Sequence, residues 1–302
     1  MKKNISNSIL YVTVLSGTFL FSCTRDKEVS PQAQNVNAVA MAEDNNQIIL
    51  ATQESMDAAD GALTDQGVSD GSASTSGRFE NSSSGWSNCG VTISGSFTLD
   101  NTHPDSLIYK GSLTIDYGDG SSCSDTTNIK KGKMIDDFAF IFNRRNVLLS
   151  ASQNIRFSGF SRGKTLIDGT FIAKSSKTGN SSVEFQGAKF TYKDGTSVSW
   201  AGMLAAVYTN GGTKTRSDDT RTINGSLSGT TREGVNFSAN ITKEILFKYS
   251  CPNGNRVPVS GTIAISTSSS TSSSNTTIDY GDGTCDRKYV ITANGTAEVH
   301  NL

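Results

Sequence analysis

Ile115-Asp116-Tyr117-Gly118-Asp119-Gly120, followed by Cys123, returns later in the chain as Ile278-Asp279-Tyr280-Gly281-Asp282-Gly283, followed by Cys285. Each copy has a further cysteine 34 residues before its own, Cys89 in the first (89 to 123) and Cys251 in the second (251 to 285). The repeat therefore includes a spacing as well as a hexapeptide. The first hexapeptide closes an alternating run of apolar and polar residues, the second follows the polar Ser266–Thr277 run, and the alternation through most of the chain decides the fold class.

Val91, Ile93, Phe97 and Leu99 alternate with polar residues before the first copy, and Leu107, Tyr109, Leu113, Ile115 and Tyr117 lead into it. The same period of two runs through Ile167 and Phe171, through Val183 and Phe185, and through Val198, Trp200, Leu204, Ala206 and Tyr208. It continues through Val235, Phe237 and Ile241, and through Ile245, Phe247 and Tyr249. One apolar and one polar face is the pattern of antiparallel strands, because strands buried on both sides read as unbroken apolar runs. Asp168-Gly169, Asp194-Gly195, Asn210-Gly211, Asn224-Gly225 and Asn294-Gly295 supply residue pairs that accept the positive φ of tight turns. The expected fold is all-β, an antiparallel meander or two-layer β-sandwich with an internal hairpin repeat, plus one short N-terminal helix.

A register follows from the cysteine spacing. Placing Cys89 opposite Cys123 puts Gly95 across from Tyr117, Phe97 across from Ile115 and Leu99 across from Leu113, with the hairpin tip near Pro104-Asp105. In the second copy, alignment of Ser260-Gly261 with Ser94-Gly95 puts Gly261 across from Tyr280 and Ile263 across from Ile278, with the tip near Ser270-Thr271. Pro252-Asn253-Gly254-Asn255 then reads as a small loop that folds Cys251 back toward Cys285.

Upstream, residues 40–63 carry Met41, Ile48, Ile49, Met56, Ala59 and Leu63 at roughly helical spacing, with Asp44 as an N-cap. This reads as a helix leaning on the sheet. Residues 23–39 are polar and read as a disordered tether, residues 64–84 as a Gly/Ser/Asp-rich linker, and residues 85–302 as the antiparallel β domain. Residues 1–22 read as a signal peptide: Lys2 and Lys3 precede an apolar run from Ile9 to Phe21 that is too short to span a bilayer.

That run ends in Leu20-Phe21-Ser22-Cys23, which resembles the lipobox of bacterial lipoproteins. The resemblance implies cleavage before Cys23, lipidation of its sulfur and acylation of its amino group with a chain such as palmitate. Several acyl chains, at roughly 0.8 kcal/mol per buried methylene, hold a protein to a membrane almost permanently. Thr24 stands where an Asp signals inner-membrane retention, so the expectation is the cell outer membrane. Arg25-Asp26-Lys27-Glu28 is similar to the charged export signal of Bacteroidota surface lipoproteins, which extends the expectation to the cell surface. The terminal block from Thr277 to Asp286, with Cys251, Ser260-Gly261 and the lipobox, resembles a group of Bacteroidota lipoproteins ending in Asp-aromatic-Gly-Asp-Gly-Thr-Cys-Asp. What this implies is a lipid-anchored cell-envelope protein without an assigned biochemical task.

With Cys23 committed to lipid, four cysteines remain on the oxidising side of the membrane, where disulfides form. Of three pairings, duplicated units favour the local one, Cys89 with Cys123 and Cys251 with Cys285. Acids and bases nearly balance, 28 against 27, and are scattered, so nucleic acid is not an expected partner. Asp116 and Asp119, with Asp279 and Asp282, are weak calcium candidates, since the ion wants six to eight oxygens. The competing reading makes them turn residues whose carboxylates accept backbone hydrogen bonds. Division of the two Asp pairs into acid and base of a glycosidase is disfavoured, because duplicates share a structural need more readily than they divide catalytic labour. His103 and His300 are the only histidines, and no nucleophile elbow, phosphate loop or dinucleotide fingerprint occurs.

Trp86, Trp200, Tyr192, Tyr208, Tyr249 and Tyr289 are either a sugar-binding platform or core, and the alternation around Trp200 favours core. No cofactor is expected. The functional expectation is a non-enzymatic binding or structural surface module, anchored in the membrane by lipid, with a glycan or envelope protein as partner. The alternative is a lipid-handling protein whose curved sheet encloses an apolar cleft.

Overall fold

The computed structural model describes residues 31–79, 90–121, 123, 129–176, 180–209, 211, 218–251, 257–268 and 273–302. One helix, α1 (Pro31–Asp65), precedes a run of strands. These are β1 (Gly77–Arg78), β2 (Thr92–Asp100), β3 (Ser106–Asp116), β4 (Lys130–Asn143), β5 (Leu148–Arg162), β6 (Thr165–Ser176) and β7 (Asn180–Thr191). The run continues through β8 (Ser197–Thr209), β9 (Thr220–Thr230), β10 (Asn236–Lys248), β11 (Pro258–Ser268), β12 (Ser273–Asp282), β13 (Lys288–Ala293) and β14 (Thr296–Asn301).

All 14 strands form one sheet in strict sequence order, each pairing antiparallel with the next. Of the two all-β architectures expected, this is the meander and not two packed sheets. The sheet bends repeatedly along its length. Register shifts interrupt the pairing of β4 with β5, β5 with β6, β6 with β7, β7 with β8, β9 with β10, β10 with β11 and β11 with β12. Each such bulge kinks a strand and increases the local twist, which is how a long sheet acquires curvature.

The curvature serves to enclose α1. Between residues 41 and 63 every side chain is buried except Glu43, Gln47, Leu50, Glu54, Asp57, Asp60 and Gly61, and none of those is fully exposed. Most of these positions recur three or four residues apart, so they trace one narrow stripe on a helix of 3.6 residues per turn. All other sides of the helix are covered. The stripe expected from the sequence is present, with Met41, Ile48, Ile49, Met56, Ala59 and Leu63 in the common core, but the helix is surrounded and does not merely lean. It also begins at Pro31 and ends at Asp65, so it takes in positions assigned to the tether, and Asp44 sits mid-helix where a cap was expected.

Residues after the helix depart from the linker reading. Val68 is buried, and its N–H donates to the Leu63 carbonyl at 2.9 Å. The Tyr109 hydroxyl donates to the Ala73 carbonyl at 2.6 Å. Gly77 and Arg78 pair with Phe97 and Ser96, and Phe79 is buried against Phe97 and Phe138. This segment covers the outer edge of β2.

The first hairpin is displaced from the expected register. Gly95 pairs with Leu113, Phe97 with Gly111 and Leu99 with Tyr109, four positions away from the pairing that opposed cysteines would impose. An even shift leaves the same face inward, so Ile93, Phe97, Tyr109, Leu113 and Ile115 are all buried. Steric fit selects between the two registers. At Gly111 a Cβ would come within 2.8 Å of the Phe97 Cα, and at Gly95, whose φ is +130°, within 2.1 Å of the Ser112 carbonyl oxygen. A bulky residue therefore faces a glycine in each of these pairs, which lets the strands close up where the sheet bends.

The second hairpin keeps the expected register, with Ile263 across from Ile278, and Ser268 across from Ser273 as the last described pair before the tip. Its bulge falls between Ser260 and Thr262, beside Gly261 at φ +120°. Cys251 and Cys285 are joined, with Cα atoms 5.5 Å apart. A staple that closes 34 residues contributes on the order of 3 to 4 kcal/mol by restricting the unfolded chain. The loop at Pro252-Asn253-Gly254-Asn255 and the tip at Ser270-Thr271 lie outside the described residues.

Two of the expected turn pairs are not turns. Asp168-Gly169 forms a bulge within β6, and Asn224-Gly225 lies inside β9. Asp194-Gly195 and Asn294-Gly295 do close hairpins, while Asn210 lies outside the described residues.

Gly95→Val is expected to lower unfolding free energy by about 2 to 4 kcal/mol, since the new Cβ meets backbone and the φ is unfavourable. Gly118→Ala has open space around it and should cost about 1 kcal/mol from its positive φ alone. Denaturant titration of the two variants measures the difference.

Candidate functional site

The two Asp-rich copies are turns in which carboxylates bind backbone. Asp116 Oδ1 accepts the Gly118 N–H at 2.9 Å, and Asp119 Oδ1 accepts that of Ser121 at 2.9 Å. Asp279 Oδ1 accepts from Gly281 at 2.9 Å and Asp282 Oδ1 from Thr284 at 3.1 Å. The Lys133 ammonium, 2.9 Å from Asp116, holds that carboxyl below its ordinary pKa, and hydrogen bonds from Ser121 and Thr284 lower those of Asp119 and Asp282. Among the described residues no group of three acidic, His or Cys side chains is placed to hold a metal ion. Cys123 is disulfide-bonded; Cys89, expected as its partner, and Cys23 lie outside the described residues.

What the hexapeptides position is their tyrosine. Tyr117 and Tyr280 are buried while the flanking carboxylates face water, as strand alternation requires. The Tyr280 hydroxyl donates to Asn46 Oδ1 of α1 at 3.0 Å, and burial raises its pKa far above the ordinary value. Tyr117 lies beside Ala51, Glu54 and Ser55 of the same helix, with the Lys130 ammonium 5.6 Å from its ring centre. The duplicated element thus docks one helix at two places.

Three further polar groups fasten α1 to the sheet. Asp44, almost wholly buried, is gripped by both Nε and Nη2 of Arg232, the first at 2.9 Å, and accepts from the Tyr192 hydroxyl. The Arg232 guanidinium also stacks 3.6 Å from the Tyr192 ring centre. Burial raises the Asp44 pKa, against the lowering effect of those hydrogen bonds. Glu54 pairs with Lys130 at 2.5 Å and with Arg162 at 2.8 Å. Burial pushes the Glu54 carboxyl up, but the two cations outweigh it and hold its pKa below the ordinary value. Gln53 accepts from Arg221 at 2.8 Å and donates to Asp57 at 2.9 Å.

A fourth buried group lies on β4. Asp136 is 2 % exposed, accepts from Gln153 Nε2 at 3.0 Å, and its Oδ1 has no hydrogen-bond partner within normal geometry among the described residues. Burial, with the charge of Asp60 on α1 adding to it, pushes its pKa up to about 7.

Of the aromatic side chains weighed as platform or core, Trp200 is core. Trp200 packs at 4.5 Å on Phe190, in line with Phe185, Phe171, Phe157 and Phe160 on neighbouring strands. Tyr289 is buried as well. Tyr208 and Tyr249 contact each other edge to face, Tyr192 belongs to the Arg232 group, and Trp86 lies outside the described residues. His103 is on an exposed loop beside Asp100, and His300 on β14 lies 3.3 Å from Glu43.

Two small clefts border the helix, one between Glu54, Tyr117 and Arg162 and one between Asn45, Leu204 and Ile263. Each has an inner volume of ≈ 10 Å³, about what one water molecule needs. No helix of the described residues is long and apolar enough to cross a membrane. No known protein family fits the chain, and no curated protein or solved structure is significantly similar to it.

Sequence reading missed Asp44, Glu54, Lys130 and Arg162 as a fastening set, and Asp136 as a buried acid. A signal existed in Asp44-Asn45-Asn46, three polar residues in a row across a helix, and in Asp136, which has the parity of its buried neighbours Met134 and Phe138.

Arg232→Ala is expected to destabilise the fold by about 3 kcal/mol, because it leaves the buried Asp44 carboxylate without its cation; equilibrium unfolding reads this directly. Asp136 gives a pH dependence. The unfolded chain holds this proton only below about 3.8 and the folded chain holds it to about 7, so stability falls as pH rises through that window, by up to ~4 kcal/mol. Asp136→Asn should flatten the fall and be more stable than wild type at pH 8.

Proposed function

We propose that the protein is a lipid-anchored module of the cell outer membrane, extending to the cell surface, which acts without catalysis by presenting its sheet to a glycan or envelope protein. The observation that carries this reading is the filling of the sheet's concave face by α1. A concave sheet is the usual seat of a small ligand, and here that seat is occupied by the protein's own helix. What remains for a partner is the outer face, where Met203 and Val207 of β8 are among the most exposed large apolar side chains.

The anchor and the helix are close in sequence. Pro31 is eight positions after Cys23, a span of at most about 28 Å for an extended chain. Lipidation at Cys23 would therefore act on the sheet through its most deeply buried element, and the sheet would stand near the membrane. Resemblance of the lipobox and of the terminal block to Bacteroidota lipoproteins supports the same placement.

Lipid handling remains a second reading on one specific observation: beneath α1 the sheet is lined with Ile, Leu and Phe, so departure of the helix would expose an apolar trough. The two readings predict different binding. Cys23→Ser should move the protein from the membrane to the soluble fraction, and mass analysis of the wild type should show acyl mass on a peptide that begins at Cys23. A fluorescent fatty acid should show no saturable binding to the folded protein; saturable binding would favour lipid handling, and an unmodified Cys23 peptide would remove the anchor.

A further inference from the structure

The two edges of the sheet are treated differently. Along β2 the edge is covered, since Gly77 and Arg78 pair with Phe97 and Ser96, the Phe79 N–H donates to the Gly95 carbonyl at 3.1 Å, and Ser76 Oγ accepts the Leu99 N–H at 2.7 Å. Along β14 no described strand pairs with the outer side. An uncovered edge is a template for another chain unless something blunts it, commonly Lys, Pro or a bulge. Thr296-Ala297-Glu298-Val299-His300-Asn301 contains neither Lys nor Pro, and its pairing with β13 runs without a register shift.

The direction of each backbone group on β14 can be assigned. Asn294 and Gly295 have φ values of +50° and +83°, the signature of the two-residue turn that makes its flanking residues, Ala293 and Thr296, a hydrogen-bonded pair. Hydrogen-bonded pairs alternate along an antiparallel ladder, so Thr296, Glu298 and His300 turn their amides and carbonyls toward β13. The Leu302 N–H, which donates to the Arg287 carbonyl at 2.9 Å, continues that series. Ala297, Val299 and Asn301 therefore point theirs away from the sheet.

Side chains alternate in the opposite sense. Val299, with Val290 as its partner on β13, is on the outer face and is 67 % exposed. Glu298 and His300 are on the inner face, where His300 stacks on Tyr289 at 5.3 Å and lies 3.3 Å from Glu43. Glu298, whose carboxylate lies 3.8 Å from the His300 imidazole of its own chain, is an acid on the inner side of an edge, a placement that discourages pairing with an arbitrary strand.

One strand meets every one of these requirements, and it is β14 itself. We propose that β14 is a docking edge for a second copy of this chain, paired antiparallel about a two-fold axis at Val299. In that register Val299 exchanges both hydrogen bonds with Val299 of the other copy, and Ala297 and Asn301 face each other across the axis. Glu298 then stands across from His300 on the inner face, twice, so the acid that would repel a generic strand meets an imidazole. The two exposed valines meet on the outer face. A two-fold contact uses the same patch on both copies, and a six-residue strand with only three outward positions makes a small, reversible interface.

Paired residues that exchange hydrogen bonds have Cα atoms about 5.5 Å apart, within the range a disulfide spans. Val299→Cys in the full chain, under mild oxidation, is expected to give a covalent dimer as the main species on a non-reducing gel. Ala297→Cys should not cross-link to itself, because its two copies would be offset by four residues, about 13 Å along the strand, but it should cross-link when mixed with Asn301→Cys. Val299→Pro removes only an outward N–H, so it should halve the mass measured by light scattering and leave the circular dichroism spectrum unchanged. The proposal is overturned if Val299→Cys stays monomeric, if Ala297→Cys self-links as readily as Val299→Cys, or if the mixed pair gives no product.

Discussion

Enclosure of one helix by one sheet is the constraint from which the rest of this structure follows. A helix buried on nearly all sides cannot keep its polar side chains in water, and α1 has Asp44, Asn45, Asn46, Thr52, Gln53 and Ser55 in buried positions. An unpaired polar group in such a place costs on the order of 1 to 3 kcal/mol; Asn45 and Thr52 donate to carbonyls of the helix itself, and the sheet supplies partners for Asp44, Asn46, Gln53 and Glu54. The partners come from widely separated elements: Arg232 follows β9, Arg221 is on β9, Tyr280 on β12, Lys130 on β4 and Arg162 on β5. Apolar burial of Ile48, Ile49, Ala59 and Leu63 draws the helix in, and the polar contacts fix its rotation and its position along the axis.

That arrangement explains the duplicated hexapeptide. Its aspartates satisfy the backbone of a turn, its glycines take the positive φ that the turn needs, and its tyrosine reaches inward to α1. The copies stand near opposite ends of the strand order, at the close of β3 and of β12, and both are stapled to their surroundings through a cysteine. Two docking points on one helix, set so far apart in the sheet, require the sheet to curve back upon the helix. Bulges and close-approach glycines between them provide the curvature.

Strand content and fold class were legible because alternation depends only on which face is wet, a local property of each run. The register of the first hairpin was not legible, since shifts of four residues preserve the face of every side chain. There the contact of Phe97 with Gly111 decides, and the cysteine spacing misled by suggesting directly opposed cysteines. Burial of α1 was hidden for a related reason. Its polar residues occupy positions that a half-buried helix would leave in solvent, and their partners lie more than 75 residues away for Lys130 (54 to 130) and more than 230 away for Tyr280 (46 to 280). Asp136 was signalled only by its parity with Met134 and Phe138.

Filling the trough with α1 also limits how the protein can work. Two kinds of buried acid border α1: Asp44 and Glu54, which are ion-paired, and Asp136 on β4, whose carboxyl feels the charge of Asp60 on the helix. The first kind holds at all pH values where carboxylates are charged. The second weakens the attachment as pH rises and Asp136 ionises, because a buried charge then stands near a like charge without a cation. Contacts of α1 near Asp60 thus weaken as pH rises, whereas the ion pairs of Asp44 and Glu54 weaken as pH falls and their carboxylates take up protons.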